Sequence, residues 1–91
     1  MPKYVIERSL PGAGTLTDDD LTAISEKSNS VLDDLGGDVQ WLHSYVTDDK
    51  LFCVYIAPNE QRVREHATRG CFPADAVLMV ARTIDPTTGG R

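Results

Sequence analysis

Much of what usually announces a chemistry is missing from this sequence. No apolar run approaches the ~20 residues of a membrane-spanning helix, so no membrane partner is expected. Basic residues are scarce, nine Lys and Arg against 14 Asp and Glu, for a net charge of −5. That balance argues against a nucleic-acid backbone partner, which would require a basic stripe. Only two cysteines and two histidines occur. None falls in the C-x-x-C or H-x-x-x-H spacing of a preformed metal site. Gly12-Ala13-Gly14 is not part of a G-x-x-x-x-G-K-[ST] loop or a full G-x-G-x-x-G, and reads as a connector. There is no Ser-His-Asp signature and no nucleophile elbow, so no catalytic residue is assigned. Met1-Pro2-Lys3-Tyr4 runs straight into a strand-like segment without a signal-peptide pattern. A cytoplasmic protein with reduced cysteines is expected.

What is present describes one small domain. The 91 residues are 41% apolar and 25% charged, the balance of a globular chain with a single core. Val39 to Ala57 holds the only Trp, two of the three Tyr, one His and one Cys. Its two β-rich runs flank Thr47-Asp48-Asp49-Lys50, which is turn chemistry, so the stretch predicts a hairpin. A two-residue loop sets Ser44 opposite Cys53 and groups Leu42, Ser44, Val46, Leu51, Cys53 and Tyr55 on one face. Trp41, His43, Tyr45, Phe52, Val54 and Ile56 then share the other. A three-residue loop shifts the pairing and puts His43 beside Cys53.

Around the hairpin, Lys3 to Ser9 alternates as a strand, with Tyr4, Ile6 and Arg8 on one side. Thr17 is a good N-cap, and Asp18, Asp19 and Asp20 suit the first turn of a helix. Leu21, Ile24, Ser28, Val31, Leu32 and Leu35 form its apolar stripe, which predicts a helix from about Asp18 to Leu35. Asn59 caps a second helix over Glu60 to about Arg69. Its inward positions are Val63, His66, Ala67 and Gly70, and Gly70 closes it. Arg62, Arg64, Glu65 and Arg69 read as its solvated face. Ala76 to Ile84 predicts a fourth strand, ended by Pro86.

The order β-α-β-β-α-β fits an α+β, ferredoxin-like sandwich: a four-stranded antiparallel sheet with two helices on one face. The domain spans residues 1–86, with 87–91 as a flexible tail. The strands are apolar on both sides, more than one helical layer covers, so a homodimer packed through the sheet is expected.

WLHSYVTDDKLFCVYIAPNE (residues 41–60), VREHATRGCFP (63–73) and the opening PKYVIERSLPGAG (2–14) resemble a small actinobacterial family of stand-alone domains. That family is catalogued as of unknown function and includes a nickel-binding member. The resemblance covers Pro2 to Pro86 and implies a dimeric ferredoxin-like fold with a role in binding nickel. The candidate ligands are His43, Cys53, His66 and Cys71, whose imidazoles and thiols suit Ni, Zn or Cu. In the expected fold the second helix returns over strand 3, so His66 and Cys53 form a candidate pair. The reading is a nickel-binding protein for storage, buffering or sensing. The alternative is a dimeric α+β barrel that binds or transforms a small organic ligand, as monooxygenases of this topology do. Each ligand also has a plain reading: Cys53 as a small buried hydrophobe, His43 on the sheet surface, His66 in helix packing, and Cys71 as a loop thiol.

Overall fold

The computed structural model describes residues 1–91. Strand β1 covers Lys3–Ser9, helix α1 Asp18–Asp34, β2 Gln40–Val46, β3 Lys50–Ile56, helix α2 Glu60–Gly70 and β4 Ala76–Met79. The sheet order is β2-β3-β1-β4 and every pairing is antiparallel. This is the expected ferredoxin-like topology.

The central pair sorts the side chains. Tyr4, Ile6 and Arg8 of β1 stand opposite Tyr55, Cys53 and Leu51 of β3. Apart from the half-buried Leu51, these are buried beneath the helices. Lys3, Val5 and Glu7 alternate to the other face with Ile56, Val54 and Phe52, and none of those six is buried.

Both helices start as their caps predict. The Thr17 hydroxyl accepts from Asp20 N–H at 3.1 Å, and the Asp20 carboxylate accepts from Thr17 N–H at 3.0 Å. Asn59 accepts from Arg62 N–H at 3.0 Å. Ser28, Val31 and Leu35 of the predicted stripe are buried, but Leu21 and Ile24 are only half-buried. The first half of α1 thus leaves its apolar face partly uncovered. In α2 all four inward positions, Val63, His66, Ala67 and Gly70, are buried.

The hairpin adopts the two-residue loop. Thr47 N–H donates to Lys50 O at 2.9 Å, and Ser44 pairs with Cys53. Neither Asp48 nor Asp49 takes positive φ. The loop tip is held from outside instead: Leu10 N–H donates to Asp49 O, Gly14 N–H to Asp48 O and Gly12 N–H to the Asp49 carboxylate. A Cβ on Gly14 would stand 3.0 Å from Asp48 Cα, so this glycine permits the tip to dock. The Gly12–Gly14 connector is therefore a packed turn, with a 3-10 helix over Ala13–Thr15.

Four expectations need correction, the fourth at the end of α2. A bulge between Trp41 and His43 breaks the alternation of β2. Trp41 then faces the helices, where its indole N–H donates to Ser44 Oγ at 2.9 Å, while His43 stays on the open face. Strand β4 ends at Met79, not Ile84. Val80 N–H still donates to Lys3 O at 2.8 Å, but β1 starts at Lys3, so Ala81 to Ile84 have no strand to pair with. Arg62 is not a solvated residue. It donates to both Asp38 carboxylate oxygens (2.7 and 3.1 Å), to Leu35 O (2.7 Å) and to Glu65 (2.7 Å), tying α2 to the end of α1. That contact holds the Asp38 carboxyl below its usual range. Beyond β4, a 3-10 helix over Pro86–Gly89 is capped by Asp85. No helix is long and apolar enough to cross a membrane.

The end of α2 carries a local conflict. Cys71, not Gly70, takes the left-handed cap position, with φ 56°. Gly70 is needed for a different reason, since a Cβ there would run into the Phe72 ring. Gly70→Ala should therefore destabilise by about 1–3 kcal/mol. Cys71→Gly should stabilise by up to ~1 kcal/mol by relieving the backbone. Urea midpoints that move in these opposite directions check both assignments.

Candidate functional site: a cationic pocket and an exposed histidine

The two faces of the sheet carry different chemistry. Under the lifted first half of α1 lies a cavity of about 240 Å³. Leu21, Ile24, Ser25 and Ser28 form its wall on α1. Trp41, Ser44, Leu51, Cys53 and Tyr55 contribute from the sheet. The exposed Val46, Cys71 and Pro73 stand at its rim. None of the lining residues is acidic.

Arg8 lies in this lining at only 2% exposure. Its guanidinium donates to the Pro73 carbonyl and, at 3.4 Å, to the Tyr55 hydroxyl. It also lies 5.6 Å from the centre of the Phe72 ring, with Lys27 Nζ 5.4 Å from the same ring. The ion pairs of the protein involve Lys50, Arg62, Arg64 and Arg69. Arg8 has no carboxylate partner, which is an uncommon state for a buried charge. Burial lifts the Tyr55 hydroxyl above its ordinary pKa, and the neighbouring Arg8 charge opposes that shift.

His66 lies deeper, fully buried against Tyr55 and Phe72 at ring-centre distances of 5.2 and 5.5 Å. Its Nε2 shares a 3.2 Å hydrogen bond with Ser28 Oγ, and its Nδ1 has no partner. Burial, reinforced by the Arg8 charge, holds its pKa down to about 4. His66 is therefore neutral at physiological pH.

His43 lies on the other face. It is exposed, pairs with Val54 and packs edge-on to Tyr45 at 5.1 Å. The four candidate ligands are thus distributed. Cys53 and Cys71 both line the cavity, His66 is packed behind it, and His43 is separated from all three by the sheet. No three or more His, Cys, Asp or Glu side chains are grouped so as to hold a metal ion. Both cysteines are free, Cys53 buried and Cys71 exposed. Arg8 is the residue that ligand-centred reading passed over. Its signal was a cation in phase with Tyr4 and Ile6, on the side of β1 that must face the helices.

The His66 environment predicts acid sensitivity. The unfolded chain takes up a proton near pH 6.5, whereas the folded protein resists it until about pH 4. The stability this contributes is complete above pH 6.5 and is lost as pH falls toward 4. Urea unfolding should lose roughly 1–3 kcal/mol across that window. His66→Gln should flatten the dependence, and an unchanged slope would contradict the assignment.

Comparison with known proteins bears on what these faces do. The family model described as nickel responsive protein SCO4226-like matches residues 4–80. The crystal structure of SCO4226 from Streptomyces coelicolor A3(2) is similar in fold, with a TM-score of 0.76 over 90% of this chain and 99% of that one, at 16% identity. No curated protein matches the sequence. With the match running through both helices and all four strands, the chain belongs to the SCO4226-like family.

Proposed function

We propose that this protein is a homodimeric nickel-binding protein of the cytoplasm, acting in storage, buffering or sensing of the metal. The observation that carries the reading is membership, through residues 4–80, of a family described as nickel responsive. That description favours a metal over the catalytic barrel of the same topology.

The chemistry of the two faces supports His43 as the principal donor. The helix-side compartment already holds the buried Arg8 cation, and a second cation beside it would be repelled. Cys53 and His66 are in that compartment, and Cys71 is at its rim. The open face carries no buried cation: Glu7 stands 3.6 Å from Lys50 there, and Lys3 is exposed, where solvent screens its charge. It presents an exposed imidazole, a borderline donor well suited to nickel. One histidine is too few for a stable site. A second copy packed against this face brings another His43 and covers Tyr45 and Leu78, which are 61% and 59% exposed. Dimerisation and metal binding thus use one surface.

Calorimetric titration with nickel under reducing conditions tests the reading. It should give saturable heat that diminishes at low pH. His43→Ala should weaken affinity at least about tenfold, while Cys53→Ser and His66→Gln leave it nearly unchanged. Light scattering should report about twice the 10.0 kDa chain mass. A monomer, or a His43→Ala protein that binds nickel as the parent does, would contradict it.

A further inference from the structure

We propose that the cavity beneath α1 binds a small organic monocarboxylate, with its carboxylate on Arg8 and an apolar, ring-sized body against Leu21, Ile24 and Trp41. This goes beyond nickel binding and uses the opposite face of the sheet.

Three observations converge. The first is charge. Arg8 is 2% exposed, lines the cavity and faces no acidic side chain. Its protein partners are the neutral Pro73 carbonyl and Tyr55 hydroxyl. A guanidinium so placed has lost its water without gaining a counter-ion, and an anion entering the cavity restores one. The planar guanidinium matches a carboxylate in shape as well as charge.

The second is size and lining. About 240 Å³ is available, whereas a dry protein cavity of about 150 Å³ accepts benzene. A six-membered ring with one carboxylate therefore fits. The walls are mostly hydrophobic, with a few polar groups near the cation, which is the make-up of a ligand pocket.

The third is what the site would reject. One buried cation balances one negative charge. Asp18, Asp19 and Asp20 in the first turn of α1 cancel what that helix N-terminus would offer a phosphate dianion. The protein's net charge of −5 adds to that discrimination.

The only tryptophan lines the cavity, so occupancy can be read from its fluorescence. Metal-free protein in a chelating buffer is titrated with cyclohexanecarboxylate, its neutral analogue cyclohexanecarboxamide, and inorganic phosphate. The carboxylate should change Trp41 emission saturably and raise the melting temperature. The amide and phosphate should bind at least about tenfold more weakly. Arg8→Met removes the charge while keeping an unbranched apolar stem, and should lose the preference for acid over amide. Ser25→Leu fills the cavity from α1 with Arg8 intact, and should abolish binding even if Arg8→Met does not fold. Equal binding of acid and amide overturns the proposal. So does phosphate binding as tightly as the carboxylate, retained affinity in Ser25→Leu, or no saturable response to cyclohexanecarboxylate at tens of millimolar. Because nickel is chelated throughout, these outcomes are independent of the metal reading.

Discussion

The antiparallel pairing of β1 with β3 is the constraint on which everything else rests. Ile6 opposite Cys53 and Tyr4 opposite Tyr55 fix which side chains lie under the helices. A one-residue slip of β1 against β3 would turn Val5 and Glu7 toward the helices in place of Tyr4, Ile6 and Arg8. The tip of the β2–β3 hairpin is locked by hydrogen bonds from Leu10, Gly12 and Gly14. Those contacts hold the β1 exit against the hairpin, so the same segment that ends β1 also guards its register. The chemistry then follows from alternation alone: Arg8 is driven inward because Ile6 and Tyr4 are, and His43 outward because Ser44 is inward.

That sorting gives the protein two electrostatically unlike surfaces separated by the thickness of one sheet. Inside, a desolvated cation is held by a carbonyl, a phenol and an aromatic ring, and its field helps to keep His66 neutral. Outside, an exposed imidazole lies among Tyr45, Val54 and Phe52, with Glu7 and Lys50 paired nearby. The proposed anion pocket inside and the proposed metal site outside are compatible in one small domain because the sheet keeps them apart. The incomplete cover of α1 is part of the same design. Leu21 and Ile24 belong to the apolar stripe, yet they border a cavity where Val31 and Leu35 border packed core.

Local signals in the sequence were enough for most of the architecture. Thr17 and Asn59 mark both helix starts, and the alternation of Lys3 to Ser9 gives β1 its limits. Two candidate registers of the hairpin were visible, but choosing between them required contacts from Gly12 and Gly14, distant in sequence. The length of β4 was not legible, because it depends on where β1 begins rather than on the β propensity of Val80 to Ile84. Trp41 was misplaced for a similar reason, since one bulged residue at Leu42 inverts the phase. The candidate site was harder. His43, Cys53, His66 and Cys71 stand out by chemical type, and type says nothing about which side of a sheet a residue faces. Arg8 shares its phase with Tyr4 and Ile6, which the alternation of β1 makes legible. Its burial without a carboxylate emerged only when α1, Phe72 and Pro73 closed around it.

The proposed metal and the interior cation lie on opposite sides of the sheet, so nickel should be bound without sulfur. X-ray absorption at the nickel edge, on reduced protein carrying nickel, tests this directly. A first shell of nitrogen and oxygen donors with an imidazole scattering pattern, lost in His43→Ala, is the result the account predicts. A sulfur shell would place the metal at Cys53 or Cys71, on the Arg8 side of the sheet, and would contradict it.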